Sequence, residues 1–83
     1  QVFHATRDGK PYAGCVWIIQ PDESTLNEKV YFSNSTMWNR VDGDSCRVSA
    51  VDDKTLNGHT VTLTVQAPDG NSQDSVVIKV VDA

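Results

Sequence analysis

Residues 59–81, HTVTLTVQAPDGNSQDSVVIKVV, constrain the fold more than any other stretch of the chain. Val61, Leu63 and Val65 alternate with Thr60, Thr62, Thr64 and Gln66. After the polar segment APDGNSQD, Val76, Ile78 and Val80 form a second alternating run. Side chains along a strand point to opposite faces with a period of two, so two such runs joined by turn residues predict a β-hairpin with one buried face. This places the chain in the all-β class, with antiparallel strands, and supplies no chemistry.

The rest of the chain reads the same way. Short apolar runs cover 1–6, 12–20, 29–33, 36–41 and 45–51. Between them lie turn residues: Asp8-Gly9-Lys10-Pro11, Asn34-Ser35, Asp42-Gly43-Asp44 and Asn57-Gly58. Residues 21–28 read as a polar loop with room for one helical turn. No helical period and no internal repeat are visible. About seven strands in 83 residues, with turns at close spacing, predict a two-sheet β-sandwich. The run 12–20 is apolar on both faces (Cys15, Trp17 and Ile19 against Val16 and Ile18), which predicts an interior strand. Val30, Phe32, Val48, Val61, Leu63, Val65, Val76, Ile78 and Val80 complete the expected core.

A chain of this length makes one domain, residues 1–83 being read as a single module excised from a larger multidomain protein. A small domain buries only about 60% of its unfolded surface, so its stability margin is thin. The two cysteines, Cys15 and Cys46, offer a staple. A bridge would close a loop of about 30 residues and stabilise by roughly 3–4 kcal/mol. It would also imply an oxidising compartment. Two buried thiols are the alternative, since cysteine packs as a small apolar residue. The net charge of −4 and the scattering of the seven basic residues argue against nucleic acid or an anionic membrane as partner. No apolar run approaches the length of a membrane-spanning helix.

Two segments resemble bacterial and bacteriophage immunoglobulin-like domains of the Big type. Residues 8–16, DGKPYAGCV, are similar to the "G-x-P-x-x-G-x-x-V" stretch of invasin-type repeats. Residues 45–80 look like the last three strands shared by several families of such modules. The chain departs from antibody domains: the cysteines are only 31 positions apart and the sixth strand has none. The resemblance implies an immunoglobulin-like antiparallel sandwich that acts as a spacer, adhesive unit or weak carbohydrate binder. It implies a secreted, cell-surface or virion location, with surface glycans or neighbouring domains of the parent protein as partners. Such modules are rarely catalytic.

The residues point the same way. Nucleophilic catalysis needs a nucleophile, a base and a group that orients the base. The two histidines, His4 and His59, read as surface residues, and no nucleophile motif accompanies them. The spacing of Cys and His lacks any paired zinc motif. Residues 69–74 carry oxygen ligands but not the order of a calcium loop, and read as a hairpin turn. Nothing calls for a cofactor or a metal. Carbohydrate binding is the site type that survives, because sugar rings stack on flat aromatics while polar neighbours take the hydroxyls. Trp38 lies in the polar run TMWNRV, and Tyr31 points away from Val30 and Phe32. With Asn39 and Arg40 they form the candidate platform. Alternatively, Trp38 is a core residue and Met37 and Val41 mark a covered face. Asn34-Ser35-Thr36 is a glycosylation sequon.

Overall fold

The computed structural model describes residues 1–81. Its strands are β1 (Val2–His4), β2 (Thr6–Arg7), β3 (Lys10–Pro11), β4 (Val16–Pro21), β5 (Val30–Phe32), β6 (Arg40–Asp42), β7 (Ser45–Ala50), β8 (Thr60–Gln66) and β9 (Gln73–Lys79). All described pairings are antiparallel. One sheet has the order β1-β7-β5, a second β6-β4-β8-β9, and β2 and β3 form a small separate ribbon. The two larger sheets share one core: Trp17, Ile19, Val41, Val61 and Leu63 from one, and Val30, Phe32, Cys46 and Val48 from the other. The chain is thus all-β, in an arrangement compatible with a β-sandwich.

The apolar run at the start of β4 belongs to an interior strand, as its two-faced pattern requires. Trp17 pairs with Val41 on one side and Val65 on the other. Its indole N–H donates to the carbonyl of Gly43 at 3.0 Å. The strand begins only at Val16, because Gly14 turns the chain with φ +86° against Pro68. The segment read as a turn at 8–11 is a two-residue hairpin. Asp8 and Gly9 both adopt positive φ, the geometry that matches strand twist. Lys10 and Pro11 therefore pair with Arg7 and Thr6.

The closing hairpin has the register Thr60↔Lys79 to Gln66↔Gln73. Its second strand departs from the sequence reading. Val76 shares the inner face with its rung partner Leu63, yet Val76 is 45% exposed and Leu63 only 2%. Three strands face four, and the smaller sheet does not cover β9.

Two loops cross between the sheets at the same end of the molecule, and they repeat one structure. Ser24–Leu26 and Lys54–Leu56 are single 3-10 turns. Each continues into Asn27 and Asn57 with extended geometry, then into Glu28 (φ 69°) and Gly58 (φ 88°). The backbone N–H of Lys29 donates to Leu26 at 3.1 Å, and that of His59 to Leu56 at 3.0 Å. Thr-Leu-Asn recurs at 25–27 and 55–57, so the chain does carry a short structural repeat. Leu26 and Leu56 are 5% and 1% exposed and plug this end of the molecule.

Glu28 holds a left-handed conformation that its Cβ disfavours, where its counterpart is glycine. Glu28→Gly is expected to stabilise by roughly 0.5–1 kcal/mol, the relief being partly offset by the freer unfolded chain. Thermal melts should show this as a rise in the midpoint, and Gly58→Ala as a fall.

The structure corrects the bridge between Cys15 and Cys46: both are free thiols. Cys46 lies in β7 opposite Phe3, within the three-stranded sheet. Cys15 precedes β4 in the other sheet, and its Sγ donates to the carbonyl of Tyr12 at 3.2 Å. Burial pushes both thiols up, that of Cys46 to about 11; the Asp44 charge adds to the effect at Cys15. They stay protonated and poorly reactive at neutral pH. The argument for an oxidising compartment loses its physical basis with the bridge.

Candidate functional site

The residues singled out for binding lie on and beside an arc, residues 33–39, that leads from β5 in one sheet to β6 in the other. The run 36–41 is not a strand. Residues 35–39 bend, and only Arg40–Asp42 joins the sheet. The arc is pinned to both layers through its backbone. The carbonyl of Trp38 accepts from the N–H of Phe32 at 2.8 Å, and that of Asn39 from Ile19 at 3.1 Å. Within it, the Ser35 hydroxyl donates to the carbonyl of Arg40 at 2.7 Å and accepts from the N–H of Met37 at 3.2 Å.

Because the bend breaks the alternation, the exposures along this segment do not follow the two faces of a strand. Val41 is buried, whereas Met37 is 54% exposed. Trp38, Asn39 and Tyr31 are half-buried, and Arg40 is exposed. A shallow depression is lined by Asn34, Ser35, Thr36, Met37, Arg40, Val41 and Asp42. Of the four platform residues it takes in only Arg40. Tyr31 sits on β5 opposite Ser49. Trp38 and Asn39 stand at the side of the arc that joins the sheets. Met37 is the addition that strand alternation could not supply. The Arg40 guanidinium donates to Asp42 at 3.3 Å. The Asn34 side-chain oxygen accepts from the backbone N–H of Arg47 at 3.1 Å, leaving the amide of the sequon on an exposed residue.

The histidines lie apart. His4 is exposed on β1. His59 is not a free surface residue: its Nδ1 lies 3.2 Å from both carboxylate oxygens of Asp22. Asp22 also accepts from the N–H of Thr60 at 3.0 Å. That hydrogen bond, with the His59 contact, lowers its carboxyl below the usual range. The second loop mirrors this. Asp53 accepts from the N–H and hydroxyl of Thr55 and from Lys29, which holds its carboxyl down at about 2. Each acid at the start of one loop thus pairs with a base at the end of the other. This is a structural clasp.

The sign of its pH dependence follows. Both folded-state values lie below the reference of 3.8, so protonation disfavours the folded state. The contribution is fully present above about 3.8 and is lost as pH falls towards about 2. Thermal midpoints followed by circular dichroism should drop across that window, and Asp53→Ala should flatten the drop.

Among the described residues, no three His, Cys, Asp or Glu side chains converge to hold a metal ion. In the 69–74 turn, Asp69 accepts from the N–H of Asn71 and Asp74 from that of Ser75, so both carboxylates turn back on the backbone. No helix of the described residues is long and apolar enough to cross a membrane. No known protein family matches this chain, and no characterised protein or solved structure is detectably similar to it.

Proposed function

We propose that this domain is a non-catalytic, immunoglobulin-like accessory module, serving as spacer and adhesive unit in a secreted, cell-surface or virion protein. The three-on-four arrangement of antiparallel sheets around one core supports the fold reading. The body measures 39 × 22 × 21 Å, an elongated shape suited to holding neighbouring domains apart. Its adhesive contact is weak glycan binding at the 33–39 arc. The observation that carries this is the exposed Met37 beside half-exposed Trp38, with Asn39 and Arg40 next in the chain, on a backbone pinned to both sheets. Apolar surface flanked by donors and acceptors is what a sugar face and its hydroxyls require.

The second reading is a dedicated carbohydrate-binding module using the same residues. Both are tested by retention on insoluble polysaccharides and bacterial cell-wall preparations, beside folded Trp38→Ala and Arg40→Ala. Strong retention that both substitutions abolish favours the dedicated module. Weak retention that falls severalfold favours the adhesive spacer. No retention overturns the glycan contact in either reading.

A further inference from the structure

We propose that the free edge of β1 and the groove beneath β9 form an acceptor for a β-strand of a partner polypeptide, which would complete the smaller sheet. This goes beyond the glycan contact and lies away from the 33–39 arc.

Three observations converge on one side of the molecule. The first is the uncovered layer. Val76 is half-exposed on an inner face, and below it a groove of about 270 Å³ is walled by Phe3, Trp17, Leu63, Val65 and Val76. A second depression of about 360 Å³ shares His4, Val65 and Asp74 with the first, so the two run on as one slot. The second is an unpaired edge. Gln1 exchanges both backbone hydrogen bonds with Val48, each at 2.9 Å, and Ala5 donates to Asp44. Antiparallel alternation then turns the N–H and C=O of Val2 and His4 away from β7, towards the slot. The third is charge. Asp74 lies in both parts of the slot, and among the described residues its carboxylate pairs with no basic side chain.

The occupant is specified by this chemistry. It is an extended segment that hydrogen-bonds to Val2 and His4, turns alternate aliphatic side chains onto Phe3 and Val76, and brings a Lys or Arg to Asp74. A second copy is a poor donor. The chain carries a net charge of −4, its best alternating strand, β8, is interior, and its exposed strand β9 would bring another Asp74.

The test uses the labelled peptide KTVTVTK, whose lysines and valines share one face, with KTSTSTK as control, followed by fluorescence anisotropy and amide hydrogen exchange. Saturable binding of the first peptide only, with new protection at Val2 and His4, is expected. His4→Pro removes an edge donor that β7 does not use. It should weaken binding about tenfold or more while melting as wild type does. Asp74→Lys should weaken KTVTVTK and prefer ETVTVTE, which keeps the test open should the proline variant fail to fold. The proposal is overturned by absence of saturable binding, by protection confined to the β9 edge, or by charge-blind binding of Asp74→Lys. A free protein that sediments as a dimer with Val2 and His4 already protected overturns it too, in favour of a second copy.

Discussion

Trp17→Ala is expected to destabilise the domain by about 3–5 kcal/mol. A chain of this length has a total stability of roughly 4–12 kcal/mol, so the substitution would remove a large share of it. The size of the effect follows from position. Trp17 is 3% exposed, in the strand flanked by β6 and β8, and it packs in the core shared by both sheets. Truncation leaves a cavity that the rungs to Val41 and Val65 hold open. It also deprives the Gly43 carbonyl of its indole donor. Trp17→Phe separates the two terms. It keeps most of the apolar contact while losing the hydrogen bond and a small part of the ring volume. Gly43 is partly exposed, so water can take the donor's place and the cost should be nearer about 1 kcal/mol. Urea unfolding followed by far-ultraviolet circular dichroism would measure both. A loss under about 1 kcal/mol for Trp17→Ala would contradict the core assignment.

The strands were legible where alternation was strong. The faces of β4, β7 and β8 could be read because Trp17, Ile19, Cys46, Val48, Val61 and Leu63 recur at period two, and all six are buried. Alternation names a face but not what lies opposite it. Val76 obeys the pattern and is still half-exposed, because coverage depends on how many strands the other sheet has. The candidate site was less legible. TMWNRV looks like a strand, but Ser35 bonds to Met37 and Arg40 and bends the chain, so that Met37 rather than Trp38 becomes the most exposed apolar group. Partners distant in sequence were not legible either. His59 meets Asp22 across 37 positions, through a fold that brings two loops together. The repeat of Thr-Leu-Asn was the one available signal for those loops, and it is too short to stand out without their shared geometry.

Leu56→Ala and Leu26→Ala should each cost about 2–5 kcal/mol, although each leucine sits in a polar loop. Read from sequence, DESTLNE and DDKTLNG are solvated connections, where substitutions change stability by about 0.5 kcal/mol or less. The structure makes them plugs. Each 3-10 turn directs one leucine inward, to 1% exposure for Leu56 and 5% for Leu26. Thr55→Ala gives the contrast within the same loop: it loses an exposed hydroxyl bond to Asp53, and should cost well under about 1 kcal/mol. The loops are joined by Lys29–Asp53 at 3.1 Å and by Asp22 to His59 and Thr60. The double substitution should therefore depart from additivity by about 0.5 kcal/mol or more, since loosening one loop already frees the other. Urea titrations of the two single variants and the double variant supply the cycle. Additive losses would mean that the loops plug the end independently and that the ion pairs between them carry no coupling.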